Sequence, residues 1–368
     1  MNVFDKPNAQ SGARSSFGMA RKGGMKSNVI FVGWVNQGKP PVDGETAKNQ
    51  HLITALRKYC RVTVLDFYQK NRHPWVFLQA LWAIVSQPKA TIIFSTSAKN
   101  IYGILKLFKV LGLRRNIIHW VIGGAFADNV QKGIFRADIF GMARHTLVES
   151  PLMAKQLEEC GIKGVRQLPN FKSISYYPTI KQPQGIFRFV FLSRIMPEKG
   201  CDYILEAARQ MNSQGLTERF SIDFYGKIDD GYKPVFETAL ASLPNVHYAG
   251  YLDLAQPAGY DRLAEYDVML FPTYWKGEGF AGVFIDAFIA GLPLIASEWA
   301  HNRQFLREGE TALFIPVHDV QALARKMQEC VEGRVDVPRM KKYCQTEAQK
   351  YSIDNVITPE LLKEIDLL

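Results

Sequence analysis

The chain is expected to be an α/β protein built from two doubly wound, Rossmann-like domains that face each other across a cleft. Three observations carry that expectation. Short continuous apolar runs alternate with helix-spaced segments, the alternation resets after Asn170, and the sign of the charge changes near the same place. Residues 1–181 hold 26 Lys and Arg against 9 Asp and Glu, whereas residues 182–368 hold 19 against 26. Two halves of opposite sign fit two separate bodies, and 368 residues exceed what one core usually supports.

The first unit opens with the apolar run 28–32 (NVIFV), a glycine-containing loop over 33–44, and helical spacing over 45–59 with Leu52, Ile53, Leu56 and Tyr59 on one face. Strands are expected at 62–65, 91–94 and 117–122, with helices at 75–85 and 101–115 between them. The run 75–85 is the longest apolar stretch; broken by Gln79 and ended by Ser86-Gln87-Pro88, it is too short to span a bilayer and reads as a buried helix. The second unit shows strands at 187–192, 220–225, 246–248, 268–271, 294–296 and 313–315, and helices at 202–211, from about 281, and at 322–330. The expected division is a flexible basic tail over 1–27, an N-terminal domain over 28–180, a C-terminal domain over 181–345, and a helical segment over 346–368 packing back on the N-domain.

Composition excludes several classes. No stretch before Val29 has the apolar character of a signal peptide, and no run reaches transmembrane length, so a cytoplasmic location is expected. The five cysteines are scattered and never form a CxxC pair, which argues against a disulfide framework or a zinc site and for small core residues. Asp229-Asp230 reads as a solvated turn before Gly231, and no cluster has metal-ligand spacing, so no metal is expected. The basic first half implies an anionic partner, but it carries no nucleic-acid recognition motif.

Chemistry is expected after two of the C-domain strands, because open parallel sheets bind ligands beyond their strand carboxyl ends. Ser193-Arg194-Ile195-Met196-Pro197-Glu198-Lys199-Gly200 follows the strand ending at Leu192. Its Arg can hydrogen-bond two phosphate oxygens at once and its Lys adds a point charge, though a solvated basic turn gives the same pattern. The stretch from Glu278 to Asp286 follows the strand at 268–271 and opens a helix. The amides of Gly279, Phe280, Ala281 and Gly282 suit an anion at that helix mouth; a plain capped helix, with Glu278 complementing the dipole, is the alternative.

These stretches resemble the retaining glycosyltransferases of family 4, which adopt the two-domain GT-B fold. The resemblance rests on EGFAGVFIDAFIAGLPLI (278–295), matching the family's E-x7-E helix and following Ala-Gly-x-Pro, and on the SRIMPEKG turn. It extends to TLVESPLMAKQLEECGIKGVRQLPNF (146–171), the approach to the interdomain linker, and to VDGETAKN (42–49), which is similar to the N-terminal glycine loop of bacterial capsule and polysaccharide-assembly members. The resemblance implies that Arg194 and Lys199 hold the donor diphosphate, that Glu278 contacts hydroxyls of the transferred sugar, and that the 279–282 amides support the phosphates. It further implies that Asp286, where the family usually has Glu, binds the ribose, and that Gly44 lets the N-terminal loop approach the diphosphate. His119, or the backbone of Gly123 and Gly124 in its place, would touch the donor sugar; a histidine packed into the strand interior or at the surface is the other reading.

The function expected is therefore retaining, metal-independent transfer of a sugar from a UDP- or GDP-sugar, with no separate cofactor, to a glycan acceptor carried on a lipid in surface-polysaccharide assembly. The helix at 101–115, with Lys106, Lys109, Arg114 and Arg115 among apolar residues, could rest on an anionic membrane surface at the inner face of the plasma membrane, or be an internal helix with a basic edge. The alternatives are a catalytically silent GT-B subunit acting as a scaffold and a sugar-nucleotide epimerase. The latter requires acid/base side chains that the sequence does not display.

Overall fold

A computed structural model of the protein describes residues 27–68 and 70–368; the tail expected over 1–27 lies, except for Ser27, outside the described residues. Two six-stranded sheets organise the chain. The first contains β1 (Asn28–Gly33), β2 (Arg61–Asp66), β3 (Thr91–Thr96), β4 (Ile117–Val121), β5 (His145–Val148) and β6 (Val165–Gln167). The second contains β7 (Phe187–Leu192), β8 (Phe220–Tyr225), β9 (Val246–Gly250), β10 (Val268–Phe271), β11 (Leu294–Ser297) and β12 (Ala312–Ile315). Their orders are β2-β1-β3-β4-β5-β6 and β12-β11-β10-β7-β8-β9, and every pairing is parallel. Each sheet reverses its winding beside its first strand, between β1 and β3 and between β7 and β10. Helices leave to opposite faces there, which opens a crevice at the strand carboxyl ends.

Both faces are covered at the central strands β3, β4, β10 and β11, which are buried along their whole length, whereas the edge strands β2 and β9 are partly exposed. In β1, Ile30 and Val32 pack toward α2 (Val76–Ser86) and α3 (Ala98–Val110). Val29 and Phe31 pack toward α1 (Gly44–Arg57) and toward Ile353, Val356, Leu362 and Ile365 of the chain end. The last residues thus return to the first sheet. The two chain crossings run side by side: the Lys172 amide donates to the Tyr351 carbonyl at 2.9 Å, and the Ile353 amide to the Lys172 carbonyl at 2.8 Å. Four of the five cysteines, Cys60, Cys201, Cys330 and Cys344, are buried.

The structure departs from expectation in four places. The strands β5 and β6 were hidden in the segment read only as an approach to the linker. The helix expected over 101–115 is α3, which stops at Val110; Gly112 then turns the chain with φ +63°. The helix expected to be buried, α2, buries only Val76 and Ala83, and Trp82 is 71% exposed. Finally, His119 is not a cleft residue. It lies in β4, wholly enclosed, stacked on Phe140 and edge-on to Phe126, with Nε2 3.2 Å from the Thr96 carbonyl. β4 is buried along its whole length, so either side-chain direction is enclosed, and His119 offers no atom to a ligand in this packing.

Burial holds the His119 imidazole down at about 4, against a partly compensating hydrogen bond to the Thr96 backbone carbonyl. The folded value lies below the unfolded one, so the unfolded state binds the proton more readily between them. The neutral ring's contribution is complete above about pH 6.5 and is lost as pH falls toward the folded value, a swing of roughly 3 kcal/mol. Urea unfolding at pH 7 and pH 4 is expected to show a larger loss for the wild type than for His119→Gln, which can still donate to Thr96; equal losses would contradict this.

Candidate functional site

The two stretches singled out in the sequence leave the two strands that flank the second sheet's switch point. Arg194 follows β7 and Glu278 follows β10, so strand order alone brings residues 84 positions apart to one crevice. Gly200 locks the two connections together. It adopts φ +80°, and a Cβ there would overlap the Pro272 carbonyl oxygen, so both conformation and space call for glycine. The Tyr274 amide donates to the Glu198 carbonyl at 2.9 Å across the same junction.

At this junction Lys199 and Glu278 form a buried ion pair, Nζ to Oε2 2.6 Å, and the Thr273 hydroxyl reaches the same oxygen at 3.1 Å. Two charges removed from water remain stable only when paired and hydrogen-bonded. Arg194 differs. It is exposed, its guanidinium lies over the Trp275 ring at 5.3 Å, and it makes no ion pair among the described residues. The crevice therefore presents one uncommitted guanidinium beside a neutralised lysine, an arrangement that attracts an anion able to compete with a carboxylate.

The opposite wall comes from the first domain. Gly124 packs so closely that a Cβ would overlap the Glu278 carbonyl oxygen, and Gly123 reaches its turn with φ +96°. Gly279 faces Gly123 and Gly124 at contact distance and meets the Glu149 carboxylate. The helix itself begins only at Gly282, with Ala281 as N-cap, so Gly279 and Phe280 belong to the preceding loop. The Phe280 amide donates to Glu149 at 3.1 Å, and Lys48, buried in α1, pairs with the other Glu149 oxygen at 2.5 Å. One of the four amides expected to receive an anion, that of Phe280, thus already holds one, a carboxylate of the same chain. Further along the seam, the Ser150 hydroxyl is 3.0 Å from His301 Nδ1, and burial pushes the His301 imidazole down.

Asp286 is buried and engaged elsewhere. Lys172 contacts both its oxygens at 2.5 Å, and the Tyr260 hydroxyl donates at 2.8 Å. Burial first, then the Asp286 charge, pushes the Tyr260 phenol strongly up, so it remains a donor. Beside it lies a cavity of about 560 Å³, lined among others by His51, Lys172, Tyr251 and Tyr260. Gly44 opens α1 at an exposed position where an added Cβ would meet nothing within 4 Å, so no close backbone approach requires glycine there in this structure. Asp229 accepts from the Gly231 amide at 3.1 Å, as a turn residue does. Among the described residues no group of three or more His, Cys, Asp or Glu could hold a metal.

The sequence reading missed Lys48, Glu149, Lys172, Thr273 and His301. The one local signal was Glu149 itself, an acid directly after the apolar run TLV. The buried pair gives a direct test. Lys199→Met strands the Glu278 carboxylate and is expected to cost about 3–5 kcal/mol in urea unfolding, whereas Lys199→Met with Glu278→Gln should restore most of it. A single-variant loss below about 1 kcal/mol would mean that the pair is not buried as described.

Comparison with known proteins bears on this crevice. Residues 186–333, which carry β7 to β12, match the family described as glycosyl transferases group 1. The GtfA subunit of the UDP-N-acetylglucosamine–peptide N-acetylglucosaminyltransferase of Streptococcus gordonii is 25% identical over 289 residues, 75% of this chain and 54% of that protein. The amylovoran biosynthesis glycosyltransferase AmsK of Erwinia amylovora is 27% identical over 157 residues, 41% of this chain and 37% of that protein. The chain therefore spans about half or less of the length of these curated relatives. Among solved structures, Anabaena HepE in complex with UDP-glucose superposes with a TM-score of 0.68 at 16% identity, covering 93% of this chain and 100% of that one. The chain thus has the GT-B fold, and its residues 186–333 match the model of the glycosyl transferases group 1 family.

Proposed function

We propose that the chain is a retaining, metal-independent glycosyltransferase. It would move a sugar from a UDP- or GDP-sugar, without a separate cofactor, to a lipid-linked glycan in surface-polysaccharide synthesis at the inner face of the plasma membrane. The observation that carries this reading is the exposed, unpaired Arg194 beside the buried Lys199–Glu278 pair at the β7/β10 switch point. A diphosphate entering there meets a bidentate donor and a second cation five residues on. The fold likeness to a protein solved with UDP-glucose supports the same placement by analogy only.

In this reading the bond from the anomeric carbon to the β-phosphate oxygen breaks and its electron pair stays on that oxygen. Arg194 and Lys199 offset the charge that develops there. The acceptor hydroxyl adds to the same face of the sugar and its proton passes to the departing phosphate, so no protein carboxylate dyad is required. Glu278, held by Lys199 and Thr273, keeps its second oxygen for a sugar hydroxyl. The amides of Gly123 and Gly124 would face the sugar from the other wall in place of His119. Asp286 has about one lone-pair site left for a ribose hydroxyl after its bonds to Lys172 and Tyr260.

The test is transfer by purified full-length chain from UDP- and GDP-sugars to lipid-diphosphate saccharides, with and without EDTA, with the product's anomeric configuration read by NMR. Retained configuration, insensitivity to EDTA, and a drop of about 10²–10³-fold in Arg194→Ala are expected. Undiminished transfer by Arg194→Ala would overturn the site. Absence of transfer, of donor hydrolysis and of any donor-induced rise in melting temperature would favour the silent scaffold instead.

A further inference from the structure

The first domain turns an apolar helix face outward. In α2, Trp75 at the N-cap and Phe77, Leu78, Leu81, Trp82 and Val85 are all exposed, while Val76 and Ala83 alone are buried. At 100° per residue the six exposed side chains occupy one continuous arc of roughly 160°, opposite the two buried ones. The helix contains no charged residue. Such a face on water is unfavourable and marks a contact surface rather than a scattered exposed residue.

The apolar surface continues onto the end of α3, where Leu107, Val110, Leu111 and Leu113 are exposed. Arg115 ties the two regions together, donating to the Ile84 and Gln87 carbonyls at the end of α2, each at 2.7 Å. Around this surface the charge is predominantly positive. From residue 67 to 127 the chain has no Asp or Glu, while it has eight Lys and Arg. Lys109 is paired with Asp138, but Arg72, Lys89, Lys106 and Arg114 are exposed and make no ion pair among the described residues.

We propose that α2 and the 110–114 turn form a membrane-docking face that lies in the headgroup region of an anionic bilayer. Exposed Trp, Phe and Leu beside a basic rim match an interfacial helix, the rings at the acyl boundary and the cations on lipid phosphates. Eleven residues reach only about 16 Å against a hydrocarbon core of about 30 Å, so the helix lies flat rather than spanning. A second copy of the chain is a poorer occupant, because a two-fold contact would bring together two rims on which Arg72, Lys89, Lys106 and Arg114 have no acidic partner among the described residues. Since α2 runs antiparallel to the strands, its Trp75 end lies at the level of the strand carboxyl ends, where the cleft opens. Docking there would hold the cleft near an acceptor carried on a lipid. The inference gives that acceptor a place, but its test reads vesicle binding alone, so it can fail without the proposed reaction failing, and the reverse.

The experiment is flotation of the full-length chain with vesicles of phosphatidylcholine, alone or mixed with phosphatidylglycerol. The wild type is expected to float with the anionic vesicles and less with the neutral ones. Leu81→Glu with Trp82→Glu should weaken flotation by about tenfold or more with an unchanged melting temperature, because both positions are exposed. Trp75→Phe with Trp82→Phe should abolish a lipid-induced blue shift in tryptophan emission. A wild type that stays with the soluble fraction, or a double-Glu variant that floats equally well, would overturn the proposal. So would a wild-type oligomer that the double-Glu variant dissociates, with no flotation, since that assigns the face to a second copy.

Discussion

Two backbones meet with no side chain between them where Gly124 packs on the Glu278 carbonyl, and the geometry of the cleft follows from that contact. It fixes how near the first domain comes to the end of β10. The Glu149 carboxylate then reaches the Phe280 amide, Asn170 reaches the Phe280 carbonyl at 3.2 Å, and Ser150 reaches His301. Each of these polar links would be stretched if a side chain held the walls apart. Glycine is therefore a requirement of closure at this position, more than of backbone conformation.

Within the closed cleft the charges are not equivalent. Lys199, Lys48 and Lys172 are each already committed to a carboxylate, Glu278, Glu149 and Asp286 respectively. Three cation–carboxylate pairs line the crevice and the seam, and Arg194 alone among these four cations has no carboxylate partner among the described residues. An incoming anion exchanges partners with groups that are positioned in advance, and little reorganisation is left for the moment of binding. The same pairs keep an empty cleft from leaving charges buried and unsatisfied.

Much of this was legible in the sequence, for identifiable reasons. Continuous apolar strands separated by helix-spaced segments can bury both faces only in parallel sheets, which made two doubly wound units readable from runs such as NVIFV and FRFVFL. Arg194, Lys199 and Glu278 were readable because they follow strands directly, and strand ends are where such sheets bind ligands. Long-range pairings were not readable. Lys48 and Glu149 lie 101 positions apart, and Lys172 and Asp286 lie 114 apart, with no local pattern to couple them. His119 left two readings open, a site residue or a packed one, because proximity to a strand end does not fix which way a side chain on a central strand points. The α2 helix was misread for a related reason: apolar periodicity reports a face that seeks burial, without saying whether protein or another apolar phase covers it.

The central claim is that an anionic donor binds between Arg194 on the β7 turn and the Gly123–Gly124 wall. A crystal structure of the full-length chain soaked with UDP, and separately with GDP, tests it most directly. The expected result is a diphosphate hydrogen-bonded to the Arg194 guanidinium and within reach of Lys199 Nζ. A diphosphate seated in the cavity beside Lys172 and Tyr260, with Arg194 still resting on Trp275, would contradict it.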